Sequence, residues 1–297
     1  MRMGSAGILV NEFGQVLLIR RNDTRTFAPP GGGLEAGELP PENAVRELRE
    51  ETGIIAMPVR LVGLYYWRPQ KVGFLAFYFR CLRRGGELQP SIESPQVGFF
   101  PTNPLPEPML PVHHNRIQQA LTHAGGRPFW EWQHPSRTTR LGHDFMRFLV
   151  YPFLNWRRKR QGQPSYQPPP IWEITTTTIM ANPDGHVLWL RDGDTWRLPG
   201  GGGLENRPPW ETAIHHGQQQ LQQAITLTHL TGVYPAKDKA HMTFAFTATM
   251  TNGPIPPGPN IAYFPPGSEP ENCLSSHKTH VADTFSQSEE TIFRFQE

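Results

Sequence analysis

Cysteine is nearly absent: the 297 residues contain only Cys81 and Cys273. Two thiols so far apart make neither a disulfide scaffold nor a four-ligand zinc site. No apolar run reaches the ~18 residues that cross a bilayer as a helix. The N-terminus also lacks the apolar core of a secretion signal. Net charge is small, +2, because 28 Lys/Arg face 26 Asp/Glu. These absences make a soluble, cytoplasmic protein the default expectation. What charge there is lies unevenly, with 21 basic and 13 acidic residues in 1–170 but 7 and 13 in 171–297. Hydrophobic residues, at 37%, suffice for packed cores, while 32 prolines and 28 glycines point to many loops and a linker.

The chain then repeats itself. Residues 7–34, GILVNEFGQVLLIRRNDTRTFAPPGGGL, are matched by residues 178–204, TIMANPDGHVLWLRDGDTWRLPGGGGL. Each reads as a strand, a turn at Gly14 or Gly185, a second strand, a polar loop, an aromatic (Phe27 or Trp196) and a Pro-Gly-Gly turn. Further on, PPENA (40–44) faces PPWETA (208–213), and IESPQVGFF (92–100) faces SEETIFRF (288–295). Three matches in order imply a duplicated domain. The expected division is 1–125, an aromatic and basic linker at 126–170 ending in Pro168–Pro170, and 171–297.

The first copy carries the chemistry. Glu47, Glu50 and Glu51 stand at i, i+3 and i+4, so three carboxylates share one helical face. Like charges at that spacing repel, whereas clustered hard oxygens suit Mg²⁺ or Mn²⁺. Taken alone, a solvated acidic face with Glu42–Arg46 and Arg46–Glu50 ion pairs explains the pattern equally well. The flanks favour the metal. Pro40 and Pro41 start a helix, Gly53 ends it in a left-handed cap, and Ala44, Leu48 and Ile54 form a docking stripe. Ahead of the helix, Gly31, Gly32, Gly33 and Gly37 make a loop whose backbone can approach a metal or phosphate.

Gly32, Glu38, Arg46, Glu47, Leu48, Glu50, Glu51, Gly53 and Ile54 fill every fixed position of the Nudix box, Gly-x5-Glu-x7-Arg-Glu-U-x-Glu-Glu-x-Gly-U with U apolar. Residues 4–124 thus resemble the Nudix hydrolases. The resemblance implies an α/β fold, an α/β/α sandwich around a mixed sheet, here in tandem. It implies Mg²⁺-dependent hydrolysis of a nucleoside diphosphate linked to another moiety: an ADP-sugar, a dinucleotide or a nucleoside triphosphate. Glu47, Glu50 and Glu51 would bind the metal, with the Gly31 carbonyl a further ligand. Glu47 would help activate water, Arg46 and Glu38 would orient the others, and Glu93 matches a position that sometimes supplies another ligand or base. Pro69 falls where the ADP-sugar branch often has a proline, yet also suits an ordinary turn. Phe27, Tyr65, Tyr66 and Trp67 are candidates to stack a base and equally to pack a core.

In the second copy His215 and His216 stand opposite Arg46 and Glu47. Gln218, Gln219 and Gln220 stand opposite Arg49, Glu50 and Glu51, Gln222 opposite Gly53, and Pro208 or a gap opposite Glu38. Amides lack the charge that holds Mg²⁺, and adjacent histidines point to different helix faces, so this copy is expected to be metal-silent. It is also expected to lack the family's last helix. Its expected role is intramolecular pairing with the first copy. In the linker, residues 145–160 (FMRFLVYPFLNWRRKR) suit packing between domains, an interfacial membrane helix or a nucleic-acid contact. The rival to an enzyme is a nucleotide-sensing regulator that uses Nudix-like modules to bind ligand.

Overall fold

Matching turns open both halves of the chain. Asn11 Oδ1 accepts the Gln15 amide and Asn182 Oδ1 the His186 amide, each at 2.9 Å, around Gly14 and Gly185 in left-handed conformation. The computed structural model describes residues 1–68, 72–91, 94–134, 168–286 and 288–296. The first half contains β1 (Arg2–Leu9), β2 (Val16–Arg20), β3 (Phe27–Ala28), β4 (Gly31–Gly33), α1 (Pro40–Thr52), β5 (Ile54–Trp67), β6 (Phe74–Gly86), β7 (Gln96–Phe100), α2 (Pro111–Thr122) and β8 (Phe129–Gln133). The second contains β9 (Glu173–Ile179), β10 (Val187–Asp192), β11 (Thr195–Arg197), β12 (Gly200–Gly202), α3 (Pro209–Leu221), β13 (Ile225–Pro235), β14 (His241–Met250), β15 (Ile261–Phe264), α4 (Ser275–Thr284) and β16 (Ile292–Phe293).

The halves share one topology. Five strands run β4-β1-β6-β5-β8 in the first and β12-β9-β14-β13-β16 in the second, and each half adds a small sheet, β3-β2-β7 or β11-β10-β15. Both large sheets are mixed: β1 runs parallel to β6 and β9 to β14, while β4 and β12 are antiparallel. Alternation along β6 sends Phe77, Phe79 and Cys81 to one face and Ala76 and Tyr78 to the other. On the first face α1 docks through Ala44 and Leu48, so closely that a Cβ on Gly7 would collide with Leu48. On the second, α2 brings Ile117 and Ala120 against Val62 and Tyr65.

Three expectations change. The second half does have a final helix, α4. Its buried face is made by His277, His280 and Val281, so it shows no apolar stripe. The strand matching β7 is β15, which pairs with β10 as β7 pairs with β2; residues 288–295 supply β16, the counterpart of β8. Aromatic alternation in both segments misleads a one-dimensional match. Finally, the linker begins later than residue 126, because Phe129–Gln133 pairs with β5 and packs Trp130 and Trp132 onto the core. Residues 145–160 lie outside those described, as do Pro69 and Glu93. Among the described residues no helix is long and apolar enough to cross a membrane.

The two large sheets meet through aromatic rings. Phe77 stacks on Phe244 with centroids 6.2 Å apart, Phe79 meets Phe293 edge-on at 5.4 Å, and Trp130 meets Phe246 at 5.6 Å. Strand register makes Phe77 the equivalent of Phe244, Phe79 of Phe246 and Trp130 of Phe293. The last two contacts are therefore the same contact made in both directions, the signature of a two-fold interface.

Candidate functional site

Helix α1 begins with Pro40 and Pro41 and stops at Gly53, whose φ of 74° is the left-handed cap. Glu42 does not pair with Arg46; its carboxylate accepts the Leu39 amide at 3.0 Å and caps the helix. Arg46 is the hub of the exposed face. Its Nε donates to Glu38 Oε1 (2.8 Å), its Nη1 to Glu47 Oε1 (2.9 Å) and Glu50 Oε2 (3.2 Å), and its Nη2 to Glu38 Oε2 (3.2 Å) and the Gly33 carbonyl (3.1 Å). The bonds to Glu38, with help from the neighbouring carboxylates, raise the Arg46 pKa further.

The carboxylates differ in environment. Glu51 is buried; its Oε2 accepts the Gly31 amide at 2.8 Å and its Oε1 the Ser94 hydroxyl at 3.4 Å. The Glu47 carboxylate lies against Gly32, close enough that a Cβ there would displace it. Burial pushes the Glu47 carboxyl up to about 7, with Arg46 opposing and Glu50 adding to the rise. Glu50 is the exposed member, its Oε2 accepting Arg46 Nη1 at 3.2 Å. Beside them runs an open groove of about 650 Å³ lined by Pro41, Glu42, Val45, Arg46, Arg49, Glu50 and Pro58.

Sequence reasoning missed two residues. Asn43 is fully buried; its Oδ1 accepts the Ser5 amide at 2.8 Å and its Nδ2 donates to the Gly33 carbonyl at 2.9 Å, pinning β1 and β4 to the helix. Ser94 closes over Glu51. A lone amide inside the docking stripe was the available signal for Asn43; nothing marked Ser94. The base-stacking candidates Phe27, Tyr65 and Tyr66 are core residues, Tyr66 packed edge-on against Trp132.

Does the site suit a divalent cation? Glu38, Glu47 and Glu50 hold one arginine and Glu51 lies on the same helix beside Gly31, so the four carboxylates and Arg46 carry a formal charge of −3 when all are ionised. Every donor is a hard oxygen. The carboxylates are turned toward Arg46 and Gly31, and among the described residues no three acidic, imidazole or thiol groups converge on one point. The donor chemistry and charge nonetheless fit the ion, since the rise at Glu47 is the strain a cation would relieve.

The second half resolves the same turn without charge. Gln220 occupies the place of Glu51, and its Oε1 accepts the Gly200 amide at 2.9 Å as Glu51 accepts that of Gly31. Its Nε2 then donates to the Gly200 carbonyl at 2.8 Å. A carboxylate has no such proton to return. Here the amide caps the carbonyl matching the candidate metal ligand of Gly31. His216, in the place of Glu47, contacts the Gly202 carbonyl at 2.8 Å.

A Nudix domain model matches residues 1–121. A MutT-like protein of Streptomyces ambofaciens is 39% identical over 120 residues, covering 40% of this chain and 77% of its own. The chain belongs to the Nudix family. Its relatives include an ADP-ribose pyrophosphatase of Methanocaldococcus jannaschii, 33% identical over 37% of this chain and 66% of its own. An 8-oxo-dGTP diphosphatase of Haemophilus influenzae is 40% identical over 25% and 57%. The reaction class of this Nudix hydrolase is cleavage of a phosphoanhydride bond.

Proposed function

We propose that the first half hydrolyses a nucleoside diphosphate derivative with Mg²⁺ or Mn²⁺ held by Glu47, Glu50, Glu51 and the Gly31 carbonyl. The observation that carries this reading is the excess of carboxylate around Arg46 on the exposed face of α1. When bound, the ion screens the diphosphate and lowers the pKa of a coordinated water. Glu47, against the Gly32 turn, is the candidate to help take the proton as water attacks phosphorus. The P–O bond of the anhydride breaks, and a nucleoside monophosphate leaves together with the other phosphate. Arg46, anchored by Glu38, holds Glu47 and Glu50 in orientation. Glu93 is the candidate for an additional ligand or base.

The substrate class follows the relatives, which are named for ADP-ribose and 8-oxo-dGTP. ADP-sugars, dinucleotides and nucleoside triphosphates with Mg²⁺ form the test panel. Glu51→Gln keeps the hydrogen bond to Gly31 and removes a charge, so turnover falls by about 10³-fold with folding retained, a loss on the order of 4 kcal/mol in barrier terms. Near-normal Mg²⁺-dependent hydrolysis by that variant would overturn the site.

The second half is proposed to be a metal-silent Nudix-like domain paired with the first, because Gln220 already satisfies both backbone groups of Gly200. The sensor reading predicts tight binding of one panel member without hydrolysis.

A further inference from the structure

The glycine turn of the first half is touched at two points, by Pro169 at the end of the linker and by the Lys237 turn of the second half. A Cβ on Gly33 would run into the ring of Pro169, and one on Gly37 would come within 2.9 Å of the Lys237 carbonyl oxygen. Both contacting groups are anchored. The Pro169 carbonyl accepts Arg2 Nε at 3.2 Å, and Trp172 exchanges backbone hydrogen bonds with Met1 at 2.7 and 2.8 Å. Lys237 sits on the turn joining β13 to β14, whose ladder reaches Pro235–Met242.

The reverse contact is missing among the described residues. Gly202, the counterpart of Gly33, has no atom within 4 Å of its would-be Cβ. The counterpart of Gly37 is Asn206, also left-handed at φ 61°.

The braced segment leads directly to the candidate metal site. It ends in Glu38, whose two oxygens hold Arg46, and Arg46 in turn holds Glu47, Glu50 and the Gly33 carbonyl. Glycine loses more conformational freedom on ordering than any other residue, so a turn carrying Gly31, Gly32, Gly33 and Gly37 is costly to hold still. We propose that the linker's end and the second half together position the first: Pro169 and the Lys237 turn clamp residues 33–37 so that the Gly31 carbonyl and the Glu38–Arg46 pair stay in register with Glu47 and Glu51. This inference rests on the metal-site reading above.

Pro169→Gly in the full chain tests it, with Gly202→Ala as the internal control and Mn²⁺ as the probe. Pro169→Gly speeds amide hydrogen exchange across residues 33–38 and weakens Mn²⁺ binding, measured by water-proton relaxation, by about tenfold, as loss of groups behind metal ligands does. The thermal midpoint moves little, and Gly202→Ala changes none of the three. Unaltered exchange in Pro169→Gly overturns the brace; faster exchange with wild-type Mn²⁺ affinity overturns its link to the site. Failure of the metal reading looks different: Glu51→Gln then binds Mn²⁺ as the wild type does, or the wild type binds none and the brace is judged by exchange alone.

Discussion

Glu47 shows how burial acts on a single carboxylate. Its side chain is 13% exposed and its carboxyl is held at about 7 against an ordinary value of 4.5, with burial the leading cause. A raised carboxylate pKa means the folded state resists ionisation. In metal-free protein the cost is absent below pH 4.5, grows as pH rises toward 7 and is complete above it. The shift corresponds to at most about 3 kcal/mol. Glu47→Gln should therefore raise the urea midpoint in EDTA at pH 8, with the gain fading by pH 5, while abolishing turnover. Equal midpoints for the two proteins at both pH values would refute the burial account. The carboxylate cluster was legible from its spacing, although that spacing alone fitted a solvated acidic face equally well and only the flanking prolines and glycines favoured a metal. Asn43 and Ser94 were not, because their importance comes from what β1 and β4 bring beside them.

Helix α4 shows why an element can escape a sequence reading. SSHKTHVADT buries His277, His280 and Val281, so the inward face reads as polar. His277 Nδ1 accepts the Leu198 amide at 3.0 Å, and His280 bonds Thr177 through Nδ1 at 3.2 Å while lying against Tyr234. Burial is the first cause lowering both imidazoles, to about 4 and about 3, with Arg197 acting on His277 and both His277 and Arg294 on His280. Lowered folded values leave stability untouched above pH 6.5. As pH falls from 6.5 toward 4, the unfolded chain takes up protons that the folded one refuses, and stability drops. His280→Phe should remove one proton from that uptake, flattening the fall of the urea midpoint between pH 6.5 and 4. An unchanged slope would show that α4 does not bury its imidazoles neutral. By contrast α1 was readable to the residue, since proline, glycine and the apolar stripe each marked it independently. The box, its caps and the first hairpin of each half needed only local chemistry; α4, β8 and β16 took their places through tertiary contacts.

At the scale of the molecule, the aromatic contacts make one core of two sheets. Phe77, Phe79, Phe244 and Phe246 belong to a single buried cluster that also holds Leu48 of α1 and Leu221 of α3. Separating the halves would expose that surface to water, at ~1.5–3 kcal/mol for each large side chain. A chain whose halves share their core should unfold in one transition despite its duplicated topology. The stack at the two-fold gives the sharpest check. Phe77→Ala and Phe244→Ala should each cost about 3–5 kcal/mol, and the double variant should cost less than their sum, with a coupling of about 0.5–1.5 kcal/mol. Additive losses, or two separate calorimetric transitions in the wild type, would mean that the halves are stable independently. Coupling would tie the fate of the carboxylate helix to the copy that has none of Glu47, Glu50 and Glu51 at its matching positions. That dependence would explain why a half with Gln219 and Gln220 in the places of Glu50 and Glu51 still keeps every strand of the sheet.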